Sequence, residues 1–190
     1  MSLISIIGYH TCKLDGGWSY VKNEAPFLSG KGDNQWLSQG FYFWTDSDYF
    51  AHDWGKKSYS NAYAIVRCKV DVEETALLDC VGSVDAQMFL KKHLTKFQQH
   101  LDRLNKQPST VTVSALIRML RQKNKDCPGF FPFVAIKAQD FYHGDSVRFV
   151  ENRCETMPLL TRQQLCLFED GAGCIVEKEV IYPPSFVEQC

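Results

Sequence analysis

The sequence lacks any pair of cysteines spaced to hold a metal. Its eight cysteines, at positions 12, 68, 80, 127, 154, 166, 174 and 190, form no Cys-x-x-Cys motif, and thiolate sites need clustered ligands. Several alternate with apolar residues, as in "LCLF" and "GCIV", where a cysteine serves as a small core side chain. No metal is expected, and the thiols are expected to be reduced, as in a cytoplasmic protein. Long apolar runs are also missing: no stretch approaches the eighteen or so residues of a membrane span. The opening "MSLISIIGYH" has no basic region and too short an apolar run for a secretory leader, so it is expected to form a first strand. Repeats, low-complexity tracts and linkers are absent. A single domain over 1–190 is expected, long enough to bury its own core.

Acidic side chains are scarce in one segment. Residues 83–125 carry nine cations (Lys91, Lys92, Lys96, Arg103, Lys106, Arg118, Arg121, Lys123 and Lys125) against only Asp85 and Asp102. The remainder holds 12 basic and 20 acidic residues, so a net charge of −1 conceals a basic segment in an acidic body. Helices normally mix signs for i,i+4 pairing. The imbalance therefore points to a polyanion such as nucleic acid, or to an acidic antitoxin or immunity protein.

Aromatic residues are concentrated where charge is thin. Residues 36–54, "WLSQGFYFWTDSDYFAHDW", hold eight of the chain's 25 aromatics, which makes this stretch a candidate for both core and pocket. Residues 39–45 have strand character, with Phe41 and Phe43 on one face and Tyr42 and Trp44 on the other. Thr45 or Asp46 is placed to cap a short helix over 47–57. The preceding segment 15–38, rich in Gly, Asn and Asp, is expected to be a long functional loop.

Further strands are expected at 63–70, 76–80, 133–138, 146–151, 163–169 and 174–182, the last two joined as a hairpin by Gly-Ala-Gly. Ser83 can cap a long helix over 84–106, with Leu90, Leu94, Phe97, Leu101 and Leu104 spaced along one stripe. A second helix is expected over 111–123, with Val113, Leu116, Ile117 and Leu120 inward. The sum is an α+β fold of mostly antiparallel strands, with a short early helix and a basic helical pair inserted at 83–125.

Three blocks resemble the ADP-ribosyltransferase superfamily, in its His–Tyr–Glu branch of poly(ADP-ribose) polymerases and diphtheria-type toxins. "GYHTC" is similar to that family's first strand, "QGFYFWTDSDYFAHDW" to its central strand and helix, and "TRQQLCLFEDGAGCIVEKEVIY" to its closing hairpin. The blocks follow in the family's order and cover the two ends of the chain. The basic middle has no counterpart.

The resemblance implies split antiparallel β-sheets and NAD as substrate, with no metal. It implies that His10 holds the adenosine ribose and that the Thr11 backbone holds the nicotinamide carboxamide. Tyr42, with Trp54 or Tyr49 from the next helix, would sandwich the nicotinamide ring, an arrangement that suits a flat electron-poor group. The 15–38 lid would offer Ser29, Lys31 and Asn34 to the dinucleotide.

The family's glutamate aligns with Gln164. A glutamine can bond a ribose hydroxyl but gives no charge to an oxocarbenium-like transition state. Charge-assisted bonds are about twice as strong as neutral ones, so another acid would help: Glu155 first, then Glu151 or Glu169.

The chain is thus expected to be a mono-ADP-ribosyltransferase acting on a macromolecular acceptor, nucleic acid ahead of protein, like the toxins and defence effectors of bacteria and phages. The alternative is a non-catalytic module that binds NAD or ADP-ribose. The related RNA 2′-phosphotransferases would need basic residues converging on a phosphate, a pattern the sequence does not present.

Overall fold

β-Branched and aromatic residues at alternate positions give this chain its strands. In the computed structural model, residues 2–32, 35–104, 107, 111–140 and 146–187 are described. In chain order the elements are β1 (Leu3–Lys13), α1 (Gly17–Glu24), β2 (Phe41–Thr45), α2 (Tyr49–Ser58), β3 (Tyr63–Glu73), β4 (Leu77–Asp79) and α3 (Val84–Arg103). There follow α4 (Val113–Asp126), β5 (Ala135–Asp140), β6 (Ser146–Arg148), β7 (Thr156–Pro158), β8 (Arg162–Leu167), β9 (Ile175–Tyr182) and the short α5 (Pro184–Val187).

Seven strands form one mixed sheet in the order β4-β5-β8-β2-β1-β3-β9, and β6 and β7 form a separate ribbon. Only β4 and β5 run parallel; the other pairs in the sheet are antiparallel. The α+β class therefore holds. The two split sheets are instead one sheet with a narrow join: β1 pairs with β3 over eleven residues, but with β2 only at Gly8↔Thr45 and Tyr9↔Trp44.

The closing hairpin expected at 163–182 does not form. β8 lies in the middle, between β5 and β2, whereas β9 is the edge strand beside β3. A 3₁₀ turn over Glu169–Cys174 carries the chain between them. The reason is burial. Leu165, Cys166, Leu167 and Phe168 are all fully buried, the continuous apolar run of a strand covered on both faces. The exposed "VEKE" of β9 instead suits an edge, where charge blocks further pairing.

Segment 15–38 also differs from the long loop expected, because Gly17–Glu24 is helical. Its N-terminus has no side-chain cap, and both Gly16 and Gly17 take positive φ. Val21 is its one buried residue, and Lys178 of β9 bonds the Asn23 carbonyl near its end. Neither Thr45 nor Asp46 caps α2. That position is Asp48, and the Ser47 hydroxyl accepts from the Tyr49 N–H.

Ser83 does cap α3, accepting from the Ala86 N–H, and Thr112 caps α4 in the same way. Leu104 falls past the end of α3 and is exposed rather than inward, and Val113 is also largely exposed.

One face of the sheet carries Cys12, Phe43, Val66, Leu165, Leu167 and Val180 packed with Val21 of α1. The opposite face carries two clusters. Under α3 and α4 lie Leu78, Ile136, Cys166 and Phe168 with Leu116, Ile117 and Leu120. Under α2 lie Trp44, Tyr63 and Ile65 with Ala51. Phe41 and Phe43 thus share the first face, while Tyr42 and Trp44 share the second, as alternation requires. Gly8 permits β1 to meet β2 at the join, since a Cβ there would lie 2.6 Å from the Phe43 Cβ.

Candidate functional site

Backbone pairing between β1 and β2 stops after Tyr9↔Trp44, and His10 stands at the fork. Its Nε2 accepts from the Phe27 N–H at 3.2 Å. An amide can only donate, so Nε2 carries the lone pair and Nδ1 the proton, which is donated to the Tyr42 carbonyl at 3.0 Å. The side chain thus bridges the strands where the ladder ends. His10 is 7% exposed, and burial pulls its pKa down to about 4 against the smaller opposing effect of the Tyr42 carbonyl. It is neutral near pH 7.

A strap fills the fork. The Phe27 ring lies 6.2 Å from the His10 ring and stacks on Tyr20 at 5.4 Å. Ser29 fastens the strap to the start of β2: its N–H donates to the Gly40 carbonyl, and its hydroxyl accepts from the Gly40 N–H. Both ring nitrogens of His10 are therefore engaged by backbone, and a ribose hydroxyl would have to displace Phe27.

On the other face, Gln164 is the register partner of Trp44 on β2 and of Ala138 on β5. The Trp36 indole N–H donates to Gln164 Oε1 at 2.6 Å. Arg162, two residues earlier on β8, bonds Asp140 at 3.3 Å and sets its guanidinium 5.7 Å from the Trp44 ring. Asp140 pairs with Arg162 two residues beyond Ala138↔Gln164, so by strand alternation its carboxylate shares the Gln164 face. Such diagonal neighbours stand about 7–8 Å apart.

Tyr42 is held firmly. Its hydroxyl donates to the Ser38 carbonyl at 2.6 Å and accepts from the Leu37 N–H at 3.0 Å. Burial raises its pKa far above the usual phenol range, with Cys166 adding to the effect. Beside it, a cavity of about 390 Å³ is lined by Trp36, Leu37, Leu90, Ile136 and Ala138 among others, within the size range of small-molecule sites. Trp36 both lines this cavity and bonds Gln164.

The proposed site residues therefore fall in several places. His10, Tyr42 and Gln164 occupy three neighbouring strands, β1, β2 and β8, but the His10 side chain lies on the face opposite the other two. Thr11 turns under α2, where its hydroxyl donates to the Ala51 carbonyl. Trp54 and Tyr49 are exposed and gather near Trp44 rather than Tyr42: Trp54 lies 6.4 Å from the Trp44 ring, and Tyr49 stands edge-on to Phe50, itself 5.7 Å from Trp44. Lys31 is exposed, and Asn34 lies outside the described residues.

Glu155 belongs to the small ribbon, exposed and 3.4 Å from Arg153, and no contact brings it to Gln164. Asp140, Arg162, Trp36 and Phe27 were not singled out from sequence. Trp36 lay within the aromatic-rich stretch. The Asp140–Arg162 pair is a cross-strand contact with no local pattern to announce it.

Among the described residues no group of three or more His, Cys, Asp or Glu is placed to hold a metal, and no helix is long and apolar enough to cross a membrane. No protein-family model, curated protein or solved structure matches the chain.

Proposed function

We propose that the chain is an ADP-ribosyltransferase-type domain that binds NAD at the fork between β1 and β2 and transfers ADP-ribose to a macromolecular acceptor. The observation that carries this reading is the arrangement of its three motif residues. Positions 10, 42 and 164 are remote in sequence, yet they fall on adjacent strands around a fork that His10 spans. Nicotinamide would lie on the face of Trp44 and Gln164, with Trp54 and Tyr49 at its edge.

Cleavage breaks the bond between the nicotinamide nitrogen and the ribose C1′. The electron pair leaves with nicotinamide, and an acceptor oxygen or nitrogen bonds C1′ and gives up its proton. Gln164, with its carbonyl oxygen held by Trp36, offers its amide N–H groups to a ribose hydroxyl. The acid best placed to offset positive charge is Asp140, ahead of Glu155, because it shares the Gln164 face. Its pairing with Arg162 dilutes that charge.

That dilution, together with the neutral Gln164 and the sealed His10, favours a second reading, a module that binds NAD or ADP-ribose without turnover. Two measurements on one sample separate them. In a nitrogen-edited spectrum of the four tryptophan indoles, NAD should move the Trp36 signal; no indole shift at saturating NAD would refute both readings. With labelled NAD and RNA, DNA or lysate protein, label should enter one pool and be lost in Gln164→Ala. Indole shifts without label transfer would leave the module.

A further inference from the structure

A second surface, remote in sequence from the fork residues, gathers positive charge. α3 turns Leu90, Leu94 and Phe97 toward the sheet, which leaves its opposite face to solvent. At 3.6 residues per turn, Lys92, Lys96 and Arg103 fall within about 40° of one another around the axis and span about 16 Å along it. All three are exposed.

α4 adds Lys123 to this ridge. Its Nζ lies 4.2 Å from the centre of the Phe130 ring, and Phe130 stands edge-on to His93 at 5.2 Å. Lys96, Lys92 and Lys123 all act on His93, which burial and these three charges together hold below the usual imidazole range. Four cations from two helices thus form one ridge. Among the described residues none of the four forms an ion pair with a carboxylate. Of the acids of α3, Asp85 lies on the same stripe but two turns before Lys92, about 10 Å along the axis, and Asp102 falls on the flank of the helix. Arg121 is excluded because Asp170 already holds it at 2.9 Å.

We propose that this ridge binds the phosphodiester backbone of a single-stranded nucleic acid. Three of the four cations are lysines, compact point charges that bind phosphate without demanding one fixed geometry, as contacts to a flexible strand require. A charged stripe about 16 Å long also suits a polymer better than an isolated phosphate. The proposal does not depend on the transferase reading, because binding here needs no NAD.

The test is fluorescence anisotropy with a labelled 20-nucleotide RNA and the matching DNA, in the absence of NAD. Four contacts to a single strand give a slope of log affinity against log salt of about −2.8, or an affinity loss of about 50-fold between 50 and 200 mM salt. Lys92→Ala/Lys96→Ala/Lys123→Ala should bring the slope to about −0.7 and weaken binding at least about tenfold at low salt. An unfolded protein would not show that graded change, and Lys13→Ala should leave both values alone. The two probes report whether the sugar matters. An unchanged slope in the triple variant, no binding of either strand at 50 mM salt, or displacement of the strand by polyglutamate as readily as by unlabelled nucleic acid would each overturn the proposal.

Discussion

His10 links protonation to stability in a way that can be measured without knowing the ligand. Its pKa is about 4 in the folded chain and about 6.5 when unfolded. Below pH 6.5 the unfolded state takes up the proton and the folded state does not. Stability from this group is therefore fully present above about pH 6.5, falls as pH drops, and levels off below about pH 4. The difference of some 2.5 pH units amounts to roughly 3 kcal/mol in all, of which about 2 kcal/mol is lost by pH 5. The physical cause is burial, which disfavours the charged ring; a proton on Nε2 would also turn an acceptor into a donor facing the Phe27 N–H. Urea unfolding at a series of pH values, for the native chain and for His10→Gln, isolates this contribution. The other groups titrate alike in both proteins and cancel. The stability difference between the two should change by about 2 kcal/mol between pH 7 and pH 5. Parallel profiles would refute the buried neutral His10.

Three further outcomes follow from the fork and its surroundings. Gln164→Glu supplies the missing charge while still accepting the Trp36 indole bond, and nicotinamide release should rise at least about tenfold in a direct assay. Phe27→Ala removes the ring stacked on Tyr20 and loosens the strap over His10. It should lower the melting temperature yet tighten NAD in calorimetry, since less strap packing must be displaced. Gly8→Ala puts a Cβ against Phe43 at the β1–β2 join, which overpacks a rigid contact and should cost about 1–3 kcal/mol by urea unfolding.

Elements set by local pattern were legible in the sequence. The alternation of Phe41 and Phe43 against Tyr42 and Trp44 gave β2 and its two faces, and Ser83 before an apolar stripe gave α3 and its cap. Elements set by remote contacts were not. Gly-Ala-Gly between two strands has the look of a hairpin turn, yet the full burial of Leu165–Phe168 draws β8 into the middle of the sheet. α1 has no cap and one buried residue, so nothing periodic marked it.

The candidate site divides in the same way. His10, Tyr42 and Gln164 were found as a pattern; they lie on neighbouring strands, but the His10 side chain is on the face opposite the other two. The Phe27 strap over His10, the Trp36 bond to Gln164 and the Asp140–Arg162 pair depend on folding together residues between 17 and 128 positions apart. No short window of sequence carries that information.

The most direct test of the account is to quantify nicotinamide released from NAD against ADP-ribose attached to RNA, DNA or protein, with folded Gln164→Ala in parallel. Transfer at this site gives equal amounts of the two products with one acceptor class and a loss of both in the variant. Release and attachment that persist undiminished in Gln164→Ala, or no release with any acceptor, would contradict transfer at this site.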